Sequence, residues 1–267
     1  MQKDFQNTFL QSYVTVKIFL KTQNLLIKFR GVKMNKFDQE EFNNFILENN
    51  VIGFFKEPIK LKSGRMSNWY VNWRKPTNDA FLLNEIAQYI ISWTEQLFST
   101  KNLESKPDCF YGVPEGATKL AIITQHEWAK QSENYAKGSH SIPMGRAKPK
   151  EHGDPKDKYF VGLPHGKTII IEDVTTTGNS LLKTIDNLKE AGIRIIAAYG
   201  LTNRMEKRDD GLSVSEAVKA KGVNYLSLSN ALELLPKAYA KLQPGEEIAK
   251  AIEEEFKKYG VQELKLL

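Results

Sequence analysis

Apolar residues recur with helical spacing at Phe42, Phe45, Ile46 and Val51, and more strongly through Ala80–Phe98, which predicts a long amphipathic helix. Between them, "LKSGRMSNWYVNWR" (Leu61–Arg74) is turn chemistry followed by an aromatic, β-prone run, and predicts a hairpin. Asp108–Gly112 reads as a buried strand entering the loop "GVPEGATK", with a helix through Trp128 after it. Residues 130–165 are polar and rich in Gly and Pro, which predicts a loop or ribbon, partly mobile. "KTIII" is a short buried strand ending at Ile171. The periodic Leu181, Leu182, Ile185 and Leu188 give a helix stopped by Gly192. "IRIIAAYGL" and "VNYLSLS" are further strands around a helix at Ser213–Lys221, and the tail from Ala231 is helical. Strands and helices alternate from residue 80 to 230, so the fold class is α/β, a central parallel sheet flanked by helices.

Composition changes this picture little, but charge placement matters. The 267 residues are 41% hydrophobic and 26% charged, ordinary for a globular chain. No apolar run approaches the ~18–20 residues of a membrane span. Residues 1–33 hold six Lys and Arg against one acid, so this arm carries +5 of the formal +6 and leaves +1 for the rest. The near-neutral body argues against nucleic acid as a partner. Three origins stay open for the basic arm: extra sequence ahead of a start at Met34, a targeting or membrane-surface segment, or a structured extension. One cysteine, Cys109, cannot form a disulfide within the chain, which fits a cytoplasmic setting. It falls in a core strand and reads as buried. His126, His140 and His165 are scattered surface residues without metal-ligand spacing.

The chemistry concentrates in "IIIEDVTTTGNS" (Ile169–Ser180). A strand, a polar loop and a helix put ligands at the carboxyl end of the sheet, where the helix N-terminus welcomes phosphate. Thr175, Thr176, Thr177 and Ser180 add hydroxyls, and Gly178 lets backbone approach a ligand. Neither this stretch nor "GVPEGATK" supplies a P-loop, and a dinucleotide fingerprint is absent. Acids beside a phosphate cradle suit a ribose 5-phosphate group, its hydroxyls on Glu172 and Asp173.

The same stretch resembles the phosphoribosyl-pyrophosphate (PRPP) loop of type I phosphoribosyltransferases. "LKSGRMSNWYVN", "GRAKPKEHGD" (Gly145–Asp154) and "GLTNRMEKRDDGLSV" resemble, in order, the N-terminal segment, the catalytic loop and the base-binding segment of orotate phosphoribosyltransferases. The resemblance implies the type I fold, with a hood at about 34–78, a core at about 79–230, and a helical C-terminal tail outside the common fold. It implies PRPP binding by Glu172, Asp173, Val174, Thr175, Thr176, Thr177, Gly178, Asn179 and Ser180. Arg146, Lys148, Lys150 and His152 would close over the pyrophosphate, contributed in this family by the partner of a homodimer. Orotate would meet Lys62, Tyr70, Thr176 and Arg204. Lys150, His152 and Asp173 are the implied catalytic residues. Mg²⁺ is the implied cofactor, held through PRPP rather than by protein ligands. Three places depart from the family: Ala147 stands where many members carry lysine, Glu115-Gly116 where some do, and the PRPP loop ends Gly178-Asn179-Ser180 where Gly-Gly-Ser or Gly-Thr is frequent. Arg65 and Lys119 suit structural pairing. The alternatives are a transferase for another base, or a PRPP-sensing regulator that binds nucleic acid.

Overall fold

Consecutive residues of one strand enter opposite cores. Ile169 and Ile171 join a buried cluster with Ala197, Tyr199 and Leu201, while Ile170 joins a second with Ala198, Leu181 and Ile185. A strand covered on both faces reads as a continuous apolar run, as "KTIII" does.

The computed structural model describes residues 36–146, 148, 150–152 and 158–267. The expectations for residues 1–33, for Ala147 and for the end of the loop at Gly153 and Asp154 lie outside the described residues. Helix α1 is Gln39–Glu48, capped by Asp38, and a hairpin follows from β1 (Ile52–Lys60) and β2 (Met66–Val71). Helix α2 spans Ala80–Ser99 and leads to β3 (Cys109–Gly112) and α3 (Thr118–Lys130). The predicted ribbon is the short antiparallel pair β4 (Met144–Gly145) and β5 (Phe160–Val161). Then come β6 (Lys167–Thr175), α4 (Asn179–Glu190), β7 (Arg194–Asn203), α5 (Val214–Ala220) and β8 (Tyr225–Asn230). Helices α6 (Ala231–Leu242) and α7 (Glu246–Tyr259) close the chain. The central sheet has the order β3-β6-β7-β8, all parallel.

Two boundaries differ from expectation, each for a physical reason. Strand β6 runs on to Thr175 instead of stopping at Ile171, because β7 pairs it as far as Thr175–Asn203. Both acids therefore sit on the strand. The hairpin begins earlier, at Ile52: β1 carries Pro58 and a mostly exposed middle, so it lacks the alternation of a half-buried strand. The helical tail packs on the same core: Ile248, Ile252 and Phe256 of α7 share a buried cluster with Trp69 and Trp73. Phe256 stacks on Trp69 of the hairpin with ring centroids 6.3 Å apart.

Candidate active site

The carboxyl end of β6, the start of α4 and the hairpin enclose a cleft of about 360 Å³. Glu172, Asp173 and Val174 of β6 line it, as do Thr176 to Ser180. Lys62, Tyr70 and Arg204 also line it. Residues of three of the four motifs thus line one cleft.

Helix α4 starts from Gly178, whose φ of 68° is left-handed and easy only for glycine. No side chain caps this helix start, so the first-turn N–H groups keep their affinity for an anion. Lys62 Nζ donates to Ser180 Oγ at 3.1 Å, carrying a positive charge from the hairpin to the loop.

Glu172 is only 9% exposed, and its Oε2 has no hydrogen-bond partner among the described residues. Burial pushes its carboxyl well above the usual range; neighbouring Asp173 adds to the rise and Lys62 opposes it. Asp173 is raised too, mainly by burial, against backbone N–H donors and the charges of Arg74 and Lys62. Two acids held without a full set of partners are a demand for ligand hydroxyls or a cation. Gly116 makes room for them: a Cβ there would stand 2.4 Å from Asp173 Oδ2. The Glu115-Gly116 departure therefore has a steric logic of its own.

Arg204 is 1% exposed and its guanidinium is heavily engaged. Nε donates to Glu206 Oε1 at 2.6 Å, and Nη2 to Glu255 Oε1 at 2.9 Å and Ser67 Oγ at 3.0 Å. Nη1 donates to the Trp69 carbonyl at 3.3 Å, and the group lies 3.7 Å over the Trp69 ring. Arg65 joins this buried set through Glu206 at 2.9 Å and reaches Asp209 at 2.7 Å, the structural pairing expected of it. Lys119 donates to Asn78 Oδ1 at 2.6 Å.

Other predicted residues lie elsewhere. Thr175 does not line the cleft; it is still within β6, and its buried hydroxyl meets Tyr225 Oη at 2.5 Å. Arg146, Lys148, Lys150 and His152 are also not among the lining residues. The last three are exposed, while Arg146 Nε donates to the Phe160 carbonyl at 3.1 Å on the ribbon. Sequence reasoning missed Asn72 and Arg74, which line the cleft and continue the every-second-residue spacing from Tyr70. It also missed Arg208, which bonds to Asn179 Oδ1 at 3.0 Å. Cys109 is fully buried, and burial pushes its thiol up to about 12. Among the described residues no three of His, Cys, Asp and Glu converge to hold a metal, and no helix is long and apolar enough to cross a membrane.

No family model matches the chain. Curated relatives do. An orotate phosphoribosyltransferase of Bradyrhizobium diazoefficiens is 32% identical over 191 residues, covering 68% of this chain and 89% of the relative. One from Rhodopseudomonas palustris is 34% identical with the same coverage. Among solved structures, an orotate phosphoribosyltransferase from Francisella tularensis shares the fold with a TM-score of 0.57 and 22% identity, over 82% of this chain and 99% of that one. Another from Aeropyrum pernix has a TM-score of 0.50 and 21% identity, over 76% and 99%.

Proposed function

The chain belongs to the orotate phosphoribosyltransferase family, and from that we propose how its cleft joins PRPP to orotate, giving orotidine 5′-monophosphate and pyrophosphate. One observation carries the site reading: a partnerless buried carboxyl and an uncapped helix start share a single cleft. The 5-phosphate takes the N–H groups of Thr177 to Ser180 and the hydroxyls of Thr176, Thr177 and Ser180. The ribose hydroxyls take Glu172 and Asp173. The base lies between Tyr70 and the loop, its anionic edge towards Arg204 and Lys62.

A nitrogen of orotate then attacks the anomeric carbon as its bond to pyrophosphate oxygen breaks, and the proton of that nitrogen passes to the departing pyrophosphate or to solvent. Positive charge gathers on the sugar and negative charge on the leaving group. Ionised Glu172 and Asp173 stabilise the first. Arg146, Lys148, Lys150 and His152, supplied by the partner of a homodimer, close over the second and exclude water. The acids suit Mg²⁺ arriving on the diphosphate, because the cleft offers carboxylate and hydroxyl oxygens and Glu172 Oε2 lacks a partner. Bound there, the ion would neutralise charge on the leaving group. The working compartment is the cytoplasm.

The test follows orotate absorbance after mixing the chain with PRPP and Mg²⁺. We expect orotate to be consumed only when both are present. A folded, dimeric sample that leaves orotate untouched would defeat the reading. Lys150→Ala is expected to slow turnover about 10²-fold or more with little change in orotate affinity.

A further inference from the structure

Arg208 has no place in the chemistry above. It lies beyond β7 on the turn that leads to α5, and its side chain is 15% exposed. Nη1 donates to the Thr177 carbonyl and, at 3.0 Å, to Asn179 Oδ1. Nε is fixed by Asp210 Oδ2 at 3.1 Å. The turn is itself pinned: Arg208 N donates to the Leu212 carbonyl at 2.7 Å and Gly211 N to the Arg208 carbonyl at 3.0 Å. Arg65 holds the next residue, Asp209, from the hairpin side. The guanidinium therefore holds the peptide group between Thr177 and Gly178 together with the side chain of Asn179.

In a trans peptide the carbonyl and the following N–H point in opposite directions. Fixing the Thr177 carbonyl on Arg208 turns the Gly178 N–H the other way, to the side of the cleft. The fixing is needed because Gly178 tolerates more than one backbone orientation. No side chain caps the helix start there to hold it instead.

We propose that Arg208 is the positioning residue of the phosphate loop. It locks the Thr177–Gly178 peptide with its N–H towards the 5-phosphate and keeps a fixed positive charge behind the loop. The proposal rests on the PRPP reading of this cleft and adds a residue that never touches the ligand.

Two measurements test it: steady-state kinetics, and calorimetric binding of ribose 5-phosphate to the full chain. Arg208→Ala is expected to raise the KM for PRPP and weaken ribose 5-phosphate about tenfold or more, the scale of one hydrogen bond to a charged group. The KM for orotate, and kcat at saturating PRPP, should stay within about threefold. Arg208→Lys should recover part of the loss, since an ammonium reaches one acceptor without the fork. Unchanged ribose 5-phosphate affinity in folded Arg208→Ala overturns the proposal, as does an equal loss for both substrates. Should the alanine variant fail to fold, Arg208→Lys decides alone, with severalfold weaker binding expected and wild-type binding fatal. A wild type that binds ribose 5-phosphate but never converts orotate would sink the transferase reading while leaving the Arg208 binding test intact.

Discussion

Burial holds the Glu172 carboxyl above the ordinary range, so between that range and its raised value the folded chain keeps a proton that the unfolded chain releases. Stability therefore falls as pH rises through that window, and above it the empty site is under strain from its own acid. Glu172→Gln should raise the melting midpoint at about pH 8, by roughly 2–4 °C per kcal/mol recovered, and change little at about pH 4. The same variant should lose most turnover, because its neutral amide cannot stabilise positive charge on the sugar. Equal melting curves at both pH values would contradict the assignment. At this scale the two acids and the hydroxyl-rich loop that line the cleft were legible in the sequence, since residue type alone carries their chemistry. Thr175 was misplaced because a run of hydroxyl residues does not say which one is still inside a strand. Arg208 was invisible for a related reason: its value lies in a carbonyl 31 residues away.

Helix α7 shows what reading by element leaves out. The tail was read as helical, but helical character does not name the surface a helix covers. The helix lies against the hairpin and supplies Glu255, one of two carboxylates on Arg204. Glu255 is itself pushed up by burial, against the opposing charge of Arg204. A charge pair this buried is expensive to break from one side. Glu255→Ala should lower stability by about 3 kcal/mol, read from the urea midpoint at constant slope. It should also raise the KM for orotate more than that for PRPP, since it loosens the arginine proposed to face orotate. Equal effects on both substrates would assign Glu255 to the core alone. The sheet elements were easier to read because apolar runs between helices leave a parallel sheet as the main option. Strand β1 was not, because an edge strand with Pro58 and exposed positions carries almost no period.

For the molecule as a whole, the loop cations and the cleft are the two halves to reconcile, since the first do not line the second in one chain. If the site is shared across a homodimer, two dead variants should rescue each other. Lys150→Ala and Asp173→Asn, mixed after reversible dissociation, should regain roughly a quarter of wild-type turnover, because half of the re-paired dimers are mixed and each has one intact site. No recovery despite confirmed subunit exchange would place each loop over its own cleft. Sequence motifs named both halves but could not show that they stay apart in one chain, because assembly leaves no period to read. Cys109, the single thiol of the chain, is buried in β3 and held in its protonated form. The folded enzyme is therefore spectroscopically blank to thiol-reactive dyes without any engineering of its background. A lone Glu151→Cys substitution would become a clean optical handle on the loop that carries Lys150 and His152, showing in real time whether it closes when PRPP is added.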